Sequence, residues 1–477
     1  MYFNDFSLAS FLIIVLGWYI LQSIAYYKFF EKAEKPGWIG FIPIYNYIVH
    51  LEIVGRPKWW VALLFVPVVN FFIALTIHLD LLKSFGRYSY FDQAVGVAFA
   101  PFYMLYIAYS NTRYLGKATE MPKKVRTIGQ EWFEAIVFAV FAATFIRWVF
   151  MEAYVIPTPS MERSLLVGDF LFVSKINYGP RTPKTPLQIP LTHAKIWGTE
   201  AQSYVDWLEL PQLRLPSLDK VRRNDVVVFN YPPEFEHPKD LRTHYIKRCV
   251  AIPGDVLEIK KGQVFIDGVS QENPDLMQFK YFVETDQVIR DRIFRDYNIW
   301  EFRPVGASAD SRGYVVMTTG EVAKALEKLE FIKRVEPIFA EKDFVESRIF
   351  PDARYFPWNA DYYGPLEIPG VGTTIDITEE SLAKYGSTIE DYEELDDVVI
   401  RDNQLIIDGK AVSQYTFTKD YYFMMGDNRH NSEDSRYWGF VPGDFVVGEA
   451  SFIWMSFDDS GSLFSKIRWN RLFKGID

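Results

Sequence analysis

The sequence predicts two structural classes in one chain: a membrane α-helical N-terminal region, then a mainly β domain of antiparallel sheets. Three observations carry this expectation. The 477 residues are 49% hydrophobic and 17% aromatic, with the apolar weight concentrated in the first third and charge in the remainder. That first third contains uncharged runs close to the ~20 residues a helix needs to cross a hydrocarbon core. From Ile156 onward the texture changes to short β-branched runs broken by Gly, Pro and Asp, which read as strands joined by tight turns.

Taken in order, Ser7 to Tyr27 lacks a basic leader and a small-residue cleavage site, so it reads as a retained anchor. Trp38 to Leu51 is shorter and carries Pro43, Asn46 and His50, which suits an interfacial or re-entrant segment. Trp60 to Leu79 and Gln93 to Thr112 are two further expected spans. The last runs from Trp132 to Tyr154, with Glu134 and Arg147 bounding its uncharged centre. It works as a span if Arg147 and Glu152 reach the far headgroup layer. Lys117, Lys123, Lys124 and Arg126 precede it, and short basic loops mark the cytoplasmic side. The expected topology is therefore four spans, with the N-terminus and everything after Tyr154 outside. The chain divides into a multi-span region 1–120, a basic loop with the last anchor 121–155, and an outward-facing β-rich domain 156–477. An acidic, aromatic insertion occupies about 270–400 of that domain.

Within the β domain, Asp225-Val-Val-Val-Phe229 and Val256-Leu-Glu-Ile259 read as strands. Gly262-Gln-Val-Phe-Ile-Asp-Gly268 and Asn403-Gln-Leu-Ile-Ile-Asp-Gly409 both end in Asp-Gly, a hairpin signal. They suggest one strand-turn module used twice, or one interrupted by the acidic, aromatic stretch between them.

Three segments carry chemistry. In Ile156-Pro-Thr-Pro-Ser-Met161 the prolines stop a helix and present Ser160 in a stiff extended stretch; taken alone, the segment is equally a Pro-rich exit from a membrane helix. In His244-Tyr-Ile-Lys-Arg-Cys-Val-Ala-Ile-Pro-Gly-Asp255, Lys247 sits in a strand-like run. Burial would lower its pKa toward the roughly 7 to 8 that suits a general base; an edge strand would instead leave Lys247 and Arg248 facing water. The run from Phe423 to Pro442 is dense in Gly, Asp, Asn and Ser, giving a loop held by side-chain to backbone hydrogen bonds.

Together these segments resemble the type I signal peptidases, membrane enzymes that remove signal peptides from exported preproteins. The matching patterns are Pro-x-x-Ser-Met at Pro157 to Met161, Lys-Arg-x-x-x-x-Pro-Gly-Asp at Lys247 to Asp255, and Gly-Asp-Asn-Arg-x-x-Ser-x-Asp-Ser-Arg at Gly426 to Arg436. The resemblance covers about 132–268 and 400–457 and implies a barrel-like β peptidase domain. It implies Ser160 as nucleophile, Lys247 as general base, and an oxyanion site from the Ser160 N–H and Thr158. It further implies that Ser432 orients the lysine, that Asp434 and Arg436 brace the loop, and that Arg248 and Asp427 are structural. Ile156, Pro157, Met161, Leu165, Tyr245 and Ile246 fall where the family forms shallow apolar pockets for small side chains. His430 departs from the acidic residue that some members carry there.

The net charge of −10 argues against nucleic acid, whose phosphates need concentrated Lys and Arg. A lone Cys249 allows neither an intrachain disulfide nor a thiolate zinc cluster, and no metal or organic cofactor is expected. A Ser-His-Asp hydrolase would need a nucleophile elbow that is missing. A catalytically silent membrane scaffold with the same fold is the alternative. The expected setting is a bacterial plasma membrane, with the catalytic domain on the outer side and preproteins and lipid as partners.

Overall fold

The computed structural model describes residues 8–66, 69–121, 127–308, 311–458 and 466–476. Lys123, Lys124 and Arg126 of the expected basic loop, and Ser7, lie outside them. The chain forms two compact units, residues 6–142 and the rest.

The N-terminal unit is helical. Helix α1 (Leu8–Lys32) is long and continuous, with Leu12, Ile13, Ile14, Leu16 and Trp18 exposed. The Trp38 to Leu51 run is a short 3-10 turn followed by α2 (Tyr45–Val54), only ten residues long. As expected, it is too short to span. The next two runs differ from the expectation, because neither is one helix of spanning length. Trp60 to Leu79 divides between a 3-10 segment (Lys58–Phe65) and α3 (Val69–Ser84). Gln93 to Thr112 breaks at Phe99 (φ −121°, ψ 36°) into α4 (Tyr90–Ala98) and α5 (Ala100–Tyr109). Pro101 stands in the first turn of α5; its missing N–H is harmless there but would interrupt a continuous helix. Helix α6 (Ile128–Val149) covers the last run only to Val149; Met151–Val155 is a β-strand, and Glu152, expected at a headgroup layer, is buried there between Arg147 and Lys175. Among the described residues, Leu12–Lys32 and Glu131–Val149 are the helices long and apolar enough to cross a membrane.

The β unit is built on a curled, antiparallel half-barrel sheet. Its strands include β1 (Met151–Val155), β2 (Asp169–Ser174), β3 (Val226–Asn230) and β4 (His244–Ala251), with Tyr421–Met425 and Val446–Ser456 from the far end of the chain. Strand β4 lies between β3 and Tyr421–Met425, which makes it an interior strand. Two apolar clusters fill the faces. One gathers Ile156, Met161, Leu165, Leu171, Val226, Val228 and Ile453; the other gathers Phe229, Cys249, Leu257, Tyr421, Phe423 and Phe440.

Both Asp-Gly phrases are tight hairpin turns, with Asp267, Gly268, Asp408 and Gly409 at positive φ. They lie in different sheets. The described residues of the insertion form their own sheet, in which Gln278–Thr285 pairs with Ser311–Thr319 and Ile332–Pro337. Val283, Phe294, Ile299, Val316 and Leu326 form its separate core. Farther along, Tyr362–Glu367 pairs with Val256–Lys260, and the helix Glu379–Tyr392 packs Leu382, Tyr385 and Ile389 into the main core.

Candidate active site

After β1 the chain turns through Ile156 and Pro157 into a single 3-10 turn, Pro159–Met161, entered from an extended Thr158 (φ −130°, ψ 152°). Pro159 fixes the first position of that turn, and the turn carries Ser160. On β4, Lys247 pairs with Val227 of β3, so its side chain leaves the sheet from an interior strand. Both residues are withdrawn from water, Ser160 at 8% and Lys247 at 4% exposure. That excludes the water-facing reading of Lys247.

Lys247 Nζ donates to Ser160 Oγ at 2.7 Å and to the Ile246 carbonyl at 3.0 Å. It also lies 5.3 Å from the centre of the Tyr245 ring. Burial drives the lysine pKa down to about 8, against the pull of the Asp434, Asp427 and Glu433 carboxylates. Desolvation penalises the ammonium because the removed water is not fully replaced by polar partners. A hydroxyl held against such an amine has a proton acceptor in place near neutral pH.

The 426–436 loop closes the site. Arg248 emerges next to Lys247 and grips Asp427 with two hydrogen bonds of 2.8 Å. Asp427 also accepts from Ser164 Oγ at 2.6 Å. Burial pushes the Asp427 pKa up, but the Arg248 hydrogen bonds and charge outweigh it and leave the group below its ordinary value. Asp434 behaves likewise: the Arg436 charge and hydrogen bonds overcome its burial, with Nε and Nη2 each 2.8 Å from a carboxylate oxygen. Asp434 also accepts the Gly426 N–H at 3.0 Å. Both acid/Arg pairs thus brace the loop.

Other expected residues are placed as follows. Ile156, Met161, Leu165 and Ile246 share one apolar cluster beneath the serine turn. Tyr245 packs elsewhere, stacked on Tyr231 at 4.3 Å and beside Phe229. Pro157 and Thr158 are exposed. Ser432 is half-buried against Gly426, and its hydroxyl makes no hydrogen bond to Lys247. Among the described residues no His/Cys/Asp/Glu group could hold a metal ion.

Two contributors have roles that the sequence reading does not assign to them. Asn428 ties the loop to the serine turn, its N–H to the Ser160 carbonyl at 3.1 Å and its side-chain amide to the Pro159 carbonyl at 3.0 Å. It lies inside the Gly-Asp-Asn-Arg motif, so the signal was present. Arg471 binds Asp169 at 2.5 Å and the Ser164 carbonyl at 3.0 Å. Nothing in its local sequence announces that role.

Comparison with known proteins gives two family matches. Residues 38–117 match a family of unknown function. Residues 129–322 and 413–455 match the signal peptidase family, peptidase S26. A signal peptidase I of Buchnera aphidicola subsp. Acyrthosiphon pisum is 28% identical over 345 residues, which is 71% of this chain and 79% of that protein. One from Aquifex aeolicus is 24% identical over 318 residues, 66% of this chain and 80% of the relative. One from Helicobacter pylori strain J99 is 24% identical over 372 residues, 74% and 94% of the two chains. The insertion up to residue 322 thus falls within the matched region, although the motif resemblance had left it aside. Through residues 129–322 and 413–455 the chain belongs to the type I signal peptidases of the peptidase S26 family.

Proposed function

We propose that this protein is a membrane-bound endopeptidase that removes N-terminal signal peptides from exported preproteins. The observation that carries the reading is the 2.7 Å contact between Lys247 Nζ and Ser160 Oγ in a site that water barely reaches. Lys247, neutral when it acts, takes the Ser160 proton as Oγ bonds to the scissile carbonyl carbon. The same proton then passes to the leaving amine as the C–N bond breaks. Water attacks the resulting acyl-enzyme, giving its proton to Lys247, and the acid product leaves as Ser160 is restored. The developing oxyanion is held by the Ser160 N–H and the Thr158 hydroxyl; one such donor is typically worth ~3 kcal/mol of barrier. Ser432 steadies the lysine once substrate is bound.

The substrate lies extended, with small side chains at the first and third positions before the cut set against the surface around Ile156, Pro157, Met161, Leu165, Tyr245 and Ile246. The apolar helices hold the chain in a bacterial plasma membrane as a multi-pass protein, with the β domain on the outer side. The test is cleavage of a preprotein bearing an Ala-x-Ala site by the detergent-solubilised protein, with the cut mapped by mass spectrometry. A single cut after that Ala, lost in Ser160→Ala and in Lys247→Ala, is the expected result. No cut by correctly folded wild type would sink the proposal in favour of a silent scaffold.

A further inference from the structure

The 426–436 loop is tied on one edge to the serine turn and on the other to the insertion. Asn428 makes the first connection, as described above. Its two neighbours make the second: the Gln278 N–H donates to the Asp427 carbonyl at 2.9 Å, and the Arg429 N–H donates to the Gln278 carbonyl at 3.0 Å. Gln278 opens the insertion strand Gln278–Thr285. Two residues along, the Lys280 N–H donates to His430 Nδ1 at 3.1 Å. That acceptor role leaves the imidazole proton on Nε2, which donates to Asp361 Oδ1 at 2.7 Å. The partner is itself fixed, because Asp361 Oδ2 accepts the Ala340 N–H at 2.8 Å and its carbonyl accepts the Gly262 N–H at 3.0 Å. Phe279 and Phe339 pack around the ring, at 5.2 and 5.9 Å between centres. Gly262 sits at φ +75°, where an added Cβ would come within 2.7 Å of Phe339 and 2.8 Å of Phe279. The exposed Asn431 reaches Glu301 at 2.7 Å.

We propose that the insertion is a positioning device for the serine turn, and that His430 and Asp361 are its keystone. The proposal rests on Ser160 and Lys247 being the catalytic pair. Because alternate residues of one loop bind the insertion and the serine turn, slack on the insertion edge is passed through Asn428 to the Ser160 carbonyl. The pairing also depends on the residue type at position 430. A carboxylate at position 430 could accept from Lys280, but it would face Asp361 as a like charge with no proton between them, which is unfavourable in a buried setting.

The test uses the full-length protein in detergent. His430→Ala and His430→Asp should each lower kcat roughly 10- to 100-fold with KM nearly unchanged, since small displacements of a reacting group cost rate rather than binding. Adding Asp361→Asn to His430→Asp should restore most of kcat: the new amide can donate to the carboxylate and still accept from Ala340. Hydrogen exchange of the 426–431 amides, measured in a Ser160→Ala background, should quicken in His430→Ala. If His430 variants prove unstable, Asn431→Ala removes only the exposed contact to Glu301 and should quicken the same amides. Unchanged kcat in both single variants, a double variant as slow as His430→Asp, or unchanged exchange would each overturn the proposal. The exchange measurement decides the brace even if wild-type protein cuts no preprotein, an outcome that would overturn the catalytic reading instead.

Discussion

Lys247 and Arg248 are consecutive cations on one strand with opposite fates. Arg248 is neutralised by a two-point contact with Asp427, the geometry a planar guanidinium suits best. Lys247 hydrogen-bonds a hydroxyl and a carbonyl and has no carboxylate in direct contact, so burial outweighs the more distant acids and lowers its pKa to about 8. In the proposed mechanism the neutral amine is the working form. The rate of preprotein cleavage should therefore rise with pH through about 8 and level off above it, falling about tenfold per unit on the acid side. A kcat/KM profile measures this. A limb near the ordinary lysine value would show that Lys247 is either hydrated or not the base. Strand periodicity could not choose between a buried and a water-facing lysine, because that choice depends on β3 and Tyr421–Met425 covering both edges of β4.

At the scale of elements, the serine turn and the 426–436 loop approach so closely that one position must lack a side chain. A Cβ on Gly426 would lie 2.5 Å from the Ser160 carbonyl and 2.3 Å from Ser432 Oγ. Gly426→Ala should therefore push the loop off the serine turn and lower kcat by about 100-fold, the scale of an ångström-level misplacement. Its thermal unfolding should show only a modest loss, because the Asp427–Arg248 and Asp434–Arg436 pairs lie to either side of the strained contact. Wild-type kcat in that variant would remove the steric account. The hairpin turns at Asp267-Gly268 and Asp408-Gly409 were legible from dipeptides, since positive φ at both positions is a local demand. The break between α4 and α5 was not, although Pro101 was in plain view. Hydropathy counts apolar residues without asking whether their backbone can continue as one helix.

At the scale of the whole molecule, each of the two units has an apolar core of its own. One gathers residues from Ala25 to Tyr114, while the main clusters of the β unit gather residues from Tyr154 onward. A chain beginning at Thr127, kept in detergent because α6 is apolar, should thus fold its β unit and cut an Ala-x-Ala preprotein within about threefold of the full-length rate, as expected of a unit with its own core. Circular dichroism melting and the cleavage assay would check it, and an unfolded or inactive product would show that the first region is needed for more than anchoring. By itself the sequence determined the division into helical and β regions, the two hairpins, and the serine, lysine and loop motifs, because each is set by local composition or spacing. Only the tertiary structure decided that Lys247 is buried against Ser160, that Asn428 joins the loop to the turn, and that His430 meets Asp361 across 69 residues of chain. Such contacts depend on which strands become neighbours, and that follows from cooperative burial of distant apolar faces rather than from any one segment.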